Sequence, residues 1–407
     1  MASGEQTVMD FGLEASKVFT PTAPIDERTL FAGRTEQVRE IIDAVNQKGQ
    51  HAIVFGERGV GKTSLANVLS SFLSHPASTV LSPRVNCDAT DTYKSLWVKV
   101  FKEIDLTRTT KSAGFVGEPL ESRYSAAEHL GEDFGPDDVR RLLQVIAQSS
   151  LPIVIIDEFD RLNREVKRAL ADTIKTLSDH AVAATIVLVG VGDSVDELIE
   201  EHRSVERALV QVHMPRMSGK EIRQIITTGL ERLNLEIEEA VADRILNLSQ
   251  GLPHYTHLLA LHASRECFDR GLSKINDECL SGAIGKALSK AQQTIRSLYH
   301  TATMSSRKEH LFVEVLLACA VAPCDELGYF SAVDVRSPLQ KITGKDYQIP
   351  SFSQHLKEFC ETKRGPVLQK TGERRRFRFR FTDPLLQPFV IMQGFTTGRL
   401  RLLDGWS

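Results

Sequence analysis

The segment with the clearest chemical signature is a glycine-rich octapeptide, GERGVGKT, at residues 56–63. It fits the pattern G-x-x-x-x-G-K-[ST], whose glycines let the backbone curl so that successive N–H groups face a phosphate chain. Lys62 would neutralise the β- and γ-phosphates, and the Thr63 hydroxyl would coordinate Mg²⁺. The motif therefore predicts a site for ATP and Mg²⁺. The residues expected to contact the cofactor are Gly56, Glu57, Arg58, Gly59, Val60, Gly61, Lys62, Thr63 and Ser64.

A second pair of chemical groups follows the apolar run IVII at residues 153–156, where Asp157 and Glu158 stand side by side. Asp157 would hold Mg²⁺ through water, and Glu158 would polarise an attacking water molecule. An acidic pair after a strand is a weak indication alone, because structural carboxylates occupy such positions too. Its place one sheet element downstream of the glycine-rich loop strengthens the prediction, and Glu158 favours hydrolysis over simple binding.

The third concentration of charge lies near the C-terminus, where residues 374–381 read RRRFRFRF. Strand periodicity places Phe377, Phe379 and Phe381 on one face and the arginines on the other. Such a basic row suits the phosphates of double-stranded DNA, although arginines also keep edge strands soluble. The residues predicted to contact DNA are Arg374, Arg375, Arg376, Arg378, Arg380 and, on a preceding helix, Lys357.

The elements that must position the first two groups alternate between strands and helices. Apolar runs at 52–55, 153–156, 184–190 and 208–213 are separated by amphipathic helices, and residues 79–86 indicate one further strand. Strands that are apolar on both faces and alternate with helices predict a parallel sheet between helical layers. Residues 105–135 show little periodicity and predict a long insertion.

The remainder of the chain has a different pattern. From Ser218 to about Lys290 it predicts four helical segments, broken near Asn234, Gly251 and Gly271. From about residue 306 onward, three helices precede two short strands joined by a tight turn at Thr371–Gly372, and a final helix follows. That order predicts a winged helix-turn-helix.

Bulk composition narrows the class of protein. The chain has 407 residues, of which 42% are hydrophobic and 25% charged, which is typical of a globular protein of two or three domains. The six cysteines show no metal-binding spacing and are expected to be reduced thiols in a cytoplasmic protein. No apolar run is long enough to cross a membrane and no signal peptide is recognisable, so we expect no membrane partner.

Both ends of the chain carry a further indication. Residues 1–29 are polar, contain Pro21 and Pro24, and predict an irregular N-terminal arm. Residues 300–407 hold 16 Lys and Arg against 11 Asp and Glu, although the whole chain has a net charge of −3. A basic C-terminal third is compatible with a nucleic-acid surface and equally with an ordinary solvated one.

Three segments together resemble a known family. The residues FAGR at 31–34 ahead of a helix, GERGVGKT, and IVIIDEFDRL at 153–162 are similar to AAA+ ATPases of the replication-initiator type. They also resemble the related prokaryotic signal-transduction ATPases with numerous domains (STAND). The resemblance spans roughly residues 18–390. It implies an α/β fold with a P-loop, three-layer αβα AAA+-like core at 30–215, an all-helical lid at 216–295 and a C-terminal winged helix domain at 300–395.

The resemblance also implies roles for residues outside the two motifs. Arg203 or Arg207 would be an arginine finger that reaches the γ-phosphate of a neighbouring subunit, the alternative being a surface ion pair. Asp193 or Ser194 would be a polar sensor, the alternative being a helix N-cap. Pro253 would pack near the adenine. His254 stands where initiators usually have an arginine, which moves the placement towards the STAND group.

Two functions follow from these features. The first is a DNA-associated ATPase that assembles as a homo-oligomer or with partner proteins. The second is a nucleotide-controlled signalling switch, for example in defence against mobile elements, whose winged helix contacts protein instead of DNA. A third and weaker alternative treats ATP as a structural clamp with negligible turnover.

Overall fold

The computed structural model describes residues 2–25, 28–73, 79–110, 120–191, 205–305, 310–373 and 376–400. The helices in chain order are α1 (Ala2–Val18), α2 (Thr35–Val45), α3 (Lys62–Phe72), α4 (Tyr93–Lys102), α5 (Pro136–Ile146), α6 (Arg164–Asp179), α7 (Gly219–Arg232), α8 (Glu239–Ser249), α9 (Pro253–Asp269), α10 (Asp277–Lys290), α11 (Gln293–Thr303), α12 (Phe312–Ala320), α13 (Ala332–Thr343), α14 (Ile349–Glu358) and α15 (Leu386–Thr396). The strands are β1 (His51–Phe55), β2 (Thr79–Leu81), β3 (Arg84–Asn86), β4 (Asp105–Thr110), β5 (Leu120–Ser125), β6 (Ser150–Asp157), β7 (Thr185–Val189), β8 (Leu209–His213), β9 (Glu236–Ile237), β10 (Lys274–Ile275), β11 (Phe330–Ser331), β12 (Leu368–Thr371) and β13 (Arg378–Phe381).

A parallel sheet forms the centre of the N-terminal half. Its order is β2 and β3, then β6, β7, β1 and β8, with β2 and β3 both paired to β6. Every residue of β7 is buried, as are the last six of β6, because helices cover both faces. The predicted parallel sheet is therefore confirmed. Since all these strands run in one direction, the residues that follow β1, β6 and β7 meet at one edge.

Two sequence predictions within this half are corrected. Residues 79–86 are two short strands, because Pro83 interrupts them and offers only its carbonyl, to the N–H of Ile155. The predicted long insertion at 105–135 contains regular structure in its described parts, since β4 pairs antiparallel with β5 and a short 3-10 turn follows at Ala126–His129. These two strands are rich in Thr, Ser and Arg and lack the apolar alternation from which strands are predicted.

The predicted irregular arm at the N-terminus is wrong for residues 2–18, which form α1. This helix packs on α9, where the ring of Phe11 stacks on Phe268 at 4.1 Å. Arg265 of α9 also donates hydrogen bonds to the Gly12 carbonyl and the Ser16 hydroxyl. Tertiary contacts with a partner distant in sequence thus override the weak helix propensity of a segment that contains glycines.

The four helical segments predicted between Ser218 and Lys290 are α7 to α10 and are confirmed, whereas their role as a lid stays a prediction. The expected boundary near 295–300 falls inside α11, so the lid and the C-terminal region are joined by a helix. No helix in the described part of the chain is long and apolar enough to cross a membrane.

The C-terminal region has the predicted order, with one strand added. The elements α12, β11, α13 and α14 precede the hairpin of β12 and β13, and β11 pairs with β13 to complete a three-stranded sheet. The predicted alternation is confirmed, because Phe379 and Phe381 are buried while Arg378 is exposed. The predicted helix at 351–361 begins and ends slightly earlier, as α14. The order is compatible with a winged helix, which stays a prediction.

Candidate functional site

The glycine-rich loop connects β1 to α3 at the edge where the carboxyl ends of the strands meet. Gly56 has a φ of 154°, and a Cβ there would lie 2.3 Å from the Met214 carbonyl oxygen, so only glycine fits. Gly61 caps α3 with a φ of 98°. The backbone therefore curls ahead of a helix N-terminus, which is where anions bind.

Lys62 is the first residue of α3 and is only 7% exposed. Its ammonium donates hydrogen bonds to the carbonyls of Gly56 at 2.9 Å and Glu57 at 2.6 Å. Burial lowers the pKa of Lys62 to about 8, and the negative charges of Asp160 and Asp157 oppose that fall. A buried cation in a loop of N–H donors is suited to an anionic ligand.

Asp157 ends β6 and is 3% exposed. Its Oδ2 accepts a hydrogen bond from Arg84 of β3 at 2.8 Å, and its Oδ1 accepts one from the Glu158 N–H at 2.8 Å. Arg84 also contacts the side-chain oxygen of Asn67 on α3. One guanidinium thus links the helix that follows the glycine-rich loop to the carboxylate expected to hold Mg²⁺. No local sequence pattern predicts this role for Arg84, because its partners lie 17 and 73 residues away.

Glu158 lies at the rim of the same cleft. Its backbone is left-handed, with a φ of 55°, which is uncommon for a residue other than glycine. The carboxylate is half exposed and pairs with Arg161 at 2.8 Å. Strain of this kind collects at functional sites, where the surrounding structure holds it.

A third carboxylate, Asp160, also lines the cleft and was not predicted. It belongs to the 3-10 turn Phe159–Arg161 that follows β6. Its Oδ1 accepts a hydrogen bond from the N–H of Val191, just beyond β7, at 2.7 Å. The only sequence signal was its position in DEFD, two residues after Glu158.

The cleft has a volume of about 630 Å³ and continues from the loop towards the lid. Residues 20–25 close one side, where the Ile25 N–H donates to the Ser64 hydroxyl at 3.2 Å. His254 Nδ1 lies 2.6 Å from the Pro21 carbonyl oxygen. The predicted residues that line the cleft are Arg58, Gly59, Gly61, Lys62, Thr63, Ser64, Asp157, Glu158 and Pro253, together with Phe31.

Three loop residues predicted to contact the cofactor, Gly56, Glu57 and Val60, do not line this cleft. The Glu57 side chain turns away and pairs with Arg216 at 2.6 Å. Val60 is fully buried, and its carbonyl accepts a hydrogen bond from Arg34 at 3.1 Å. Arg34, which also lines the cleft, therefore holds the loop through its backbone.

The C-terminal region reaches the same loop. Leu385 lines the cleft, and its Cδ2 would lie 3.2 Å from a Cβ placed on Gly59. Arg216 donates to Gln387 of α15 at 2.7 Å while it pairs with Glu57. The glycine-rich loop is thus in direct contact with the C-terminal region.

Comparison with known proteins shows the family to which this chain belongs. The sequence model of the family described as Novel STAND NTPase 1, nSTAND1, matches residues 23–321, which include the whole cleft except Thr20, Pro21, Thr22 and Leu385. The chain belongs to the nSTAND1 family. The predicted resemblance to AAA+ and STAND ATPases is therefore confirmed.

The individual proteins that are similar to this nSTAND1 protein share only a small part of its sequence. The ORC1-type DNA replication protein 2 of Thermoplasma acidophilum is 23% identical over 210 residues, which are 50% of this chain and 48% of that protein. The chain thus spans about half the length of that relative. The Aeropyrum pernix ORC2 protein, solved as ADPNP–ADP complexes, aligns over 94% of this chain and 98% of its own at 15% identity and a TM-score of 0.50. A Walker-type ATPase of Pyrococcus abyssi aligns over 92% and 99% at 16% identity and the same TM-score, 0.50. These structures show the fold, and the predicted α/β AAA+-like architecture is confirmed.

Several predicted residues of the nSTAND1 chain lie away from the cleft or outside the described residues. Arg203, Asp193, Ser194, Arg374 and Arg375 are among those not described. Arg207 is exposed, in the 3-10 turn Glu206–Ala208, and does not line the cleft. Its role as a finger stays a prediction.

Two of the described arginines of the nSTAND1 hairpin already make contacts within the chain. Arg378 pairs with Asp325 at 2.8 Å and donates to the Tyr329 carbonyl at 3.1 Å. The guanidinium of Arg380 lies 4.9 Å from the centre of the Tyr329 ring. Arg376 and, on α14, Lys357 are exposed.

The nSTAND1 cleft fits ATP and Mg²⁺ by its donor set. Lys62 and the N–H groups of the loop supply positive charge for the phosphates, and Thr63 and Asp157 supply hard oxygen ligands. No cluster of three or more His, Cys, Asp or Glu among the described residues could hold a metal alone. That is compatible with Mg²⁺, which keeps waters and is bound through one or two side chains plus phosphate oxygens.

Proposed function

We propose that this nSTAND1 protein binds ATP with Mg²⁺ in the cleft and hydrolyses it to ADP and phosphate. The observation that carries the proposal is the buried Lys62 ammonium, held in a curled loop at a helix N-terminus and faced by Asp157 and Asp160. Lys62 would bind the β- and γ-phosphates, and Thr63 and Asp157 would hold Mg²⁺. When bound, Mg²⁺ neutralises phosphate charge.

Glu158 would orient the attacking water and accept its proton, since it lies next to Asp157 at the rim of the cleft. The fixed, left-handed backbone at Glu158 supports a positioned base. Pro253, Phe31 and residues 20–25, which line the cleft, would enclose the adenine.

The test is ATP turnover by the wild type and Glu158→Gln. We expect turnover to fall by about 100-fold or more while ATP affinity is kept, because loss of a general base affects the chemical step. Glu165→Gln is the matched control, since Glu165 is exposed on α6 and does not line the cleft. Equal turnover in Glu158→Gln and wild type would remove Glu158 from catalysis and favour a structural clamp.

We further propose that the C-terminal hairpin contacts double-stranded DNA. The exposed Arg376 and Lys357 support this, as does the similarity to the DNA replication protein of Thermoplasma acidophilum. Replacing Arg376, Arg378 and Arg380 by Ala should weaken DNA binding and flatten its salt dependence by up to about three units of slope. Unchanged affinity and slope in the triple variant would end the DNA proposal.

The contact between the C-terminal region and the loop supports a second function, a nucleotide-controlled switch that signals to a protein partner. Arg216 bonds to Glu57 of the loop and Gln387 of α15 together, so phosphate binding could be transmitted to the C-terminal region. Limited proteolysis with and without ATP separates the two functions. Protection of the C-terminal region that changes with ATP, in a protein that does not bind DNA, would favour the switch.

Assembly is the remaining part of the proposal. If Arg207 is an arginine finger, it must reach the cleft of another subunit, because it does not line its own. Turnover per molecule should then rise with protein concentration, and Arg207→Ala should abolish that rise without loss of ATP affinity. Concentration-independent turnover would contradict the finger.

A further inference from the structure

Asp160 makes a contact that the proposed chemistry leaves unexplained. The paired part of β6 and β7 ends at Ile156 and Leu188, so the backbone beyond Val189 has left that ladder. The Gly190 N–H donates to the Val54 carbonyl of β1 at 3.0 Å, and the next N–H, that of Val191, donates to Asp160 Oδ1 at 2.7 Å. The backbone just beyond β7 is therefore held from two sides.

The contact joins two elements that meet at the phosphate end of the cleft. Asp160 and Val191 are 31 residues apart in sequence, and both line the cleft together with Gly190. Glu158 lies in the same turn as Asp160, between β6 and Arg161, with its backbone in the left-handed region. A turn with a strained residue holds its shape only where its neighbours fix it.

A carboxylate is a costly way to satisfy one N–H in this place. Its negative charge repels a polyphosphate, and a neutral amide would accept the same hydrogen bond. A charged acceptor, however, forms a shorter and roughly twice stronger bond to N–H than a neutral one. The geometry of the turn depends on the position of this acceptor, which an amide oxygen would keep, so the charge strengthens the hydrogen bond but is not what fixes the turn.

We propose that Asp160 is a positioning residue that ties the backbone after β7 to the turn after β6 and so holds Glu158 in its productive place. This inference rests on the proposed hydrolysis. Asp160 does not touch the reacting atoms in this role, because its hydrogen bond acts on the turn and on the Val191 backbone.

Two substitutions separate the hydrogen bond from the charge. Asp160→Ala removes both, whereas Asp160→Asn keeps an acceptor for the Val191 N–H and removes only the charge. We expect kcat to fall by about 10- to 100-fold in Asp160→Ala with KM changed less than about threefold, since small misplacements have effects of that size. Asp160→Asn should keep kcat within about threefold of wild type.

Amide hydrogen exchange of residues 185–191 gives a readout that does not depend on turnover. Exchange at Val191 should be faster in Asp160→Ala and close to wild type in Asp160→Asn. If Asp160→Ala does not fold, the Asn variant still decides the matter. Loss of kcat in Asp160→Asn with slow exchange at Val191 would overturn the proposal, because the charge and not the hydrogen bond would then be required.

The proposed function and this inference fail differently. Wild-type turnover in Glu158→Gln would refute the catalytic base and leave the exchange result standing. Loss of turnover in Glu158→Gln, combined with wild-type kcat in Asp160→Ala, would refute the positioning role alone. A kcat loss shared equally by Asp160→Ala and Asp160→Asn would also refute it.

Discussion

The glycine-rich loop and the C-terminal hairpin both concentrate positive charge, but the surroundings of that charge differ. In the loop, Lys62 is buried and bonded to backbone carbonyls of its own motif, within six residues. In the hairpin, Arg378 is half exposed and pairs with Asp325, a residue more than 50 positions earlier. The position of a charged group that is bonded to its own loop is fixed by the local backbone. The position of a charged group on an exposed strand depends on residues that are distant in sequence.

This difference decides how much each motif reveals about function. Glycines with positive φ and a following helix define an anion site by themselves. A row of arginines does not define a DNA site, because ion pairs and ring contacts can occupy the same side chains. Substitutions in the loop and in the hairpin test both halves of that comparison.

The largest effect is expected from Lys62→Ala. A buried ammonium that bonds phosphate oxygens contributes about 3 kcal/mol, so ATP affinity should fall by about 100-fold or more. Isothermal titration with ATP and Mg²⁺ measures it. Lys48→Ala is the control, because Lys48 is exposed in the turn after α2 and should leave affinity unchanged. Wild-type affinity in Lys62→Ala would show that the curled loop is not the phosphate site.

The next effect concerns the stability of the fold at low pH, which should depend on the buried core and not on the exposed hairpin. Burial lowers the pKa of His51, at the start of β1, to about 4. Below pH 6.5 the His51 imidazole is protonated in the unfolded chain but stays neutral in the folded chain. The free energy of unfolding therefore falls as the pH decreases towards 4. Between pH 6.5 and 5 this loss amounts to about 1.5 kcal/mol.

His51→Asn tests this assignment, because an Asn oxygen can accept the Ile186 N–H bond that His51 Nδ1 accepts at 3.0 Å. Urea unfolding followed by the fluorescence of the buried Trp97 should show a shallower loss of stability between pH 6.5 and 5 in the variant. Arg376→Ala changes an exposed hairpin residue and leaves His51 in place, so it should keep the wild-type pH dependence. Parallel curves for His51→Asn and wild type would exclude His51 as a source of acid sensitivity.

The same contrast separates what the sequence could predict from what it could not. The sheet, the lid helices and the placement of Lys62, Asp157 and Glu158 follow from patterns within about ten residues. Arg84 and Asp160 act through partners far along the chain. Neither residue stands in a local pattern that names its partner.

Local propensity also failed where tertiary packing dominates. Helix α1 looked irregular because its stabilising partners, Phe268 and Arg265, are about 250 positions away. Glu57 stands in the motif and was assigned to the cofactor, but its side chain pairs with Arg216 instead. A motif places a backbone, and it does not decide where each variable side chain points.

A smaller effect is expected at the hairpin. Asp325→Asn keeps the acceptor for the N–H groups of Leu327 and Tyr329 and removes the charge that pairs with Arg378. If DNA binds there, affinity should rise and its salt dependence should steepen by about one unit of slope, because one more cation reaches a phosphate. Fluorescence anisotropy with duplex DNA at several salt concentrations measures both, with Asp346→Asn, which pairs with Arg336, as the control. An unchanged slope in Asp325→Asn would place Arg378 outside any DNA contact.

The smallest effect concerns whether the loop and the C-terminal region act together. Arg216 bonds to Glu57 on one side and Gln387 on the other, so Glu57→Gln and Gln387→Leu each weaken the same link. In a double-mutant cycle on ATP affinity we expect a coupling energy of about 0.5 kcal/mol or more, a factor of about two. Pairing Glu57→Gln with Gln393→Leu, on the same helix and without a contact to Arg216, should give additive effects. Additive effects in the first cycle as well would mean that the C-terminal region contacts the loop but is not energetically coupled to ATP binding. The proposed switch would then have no structural basis.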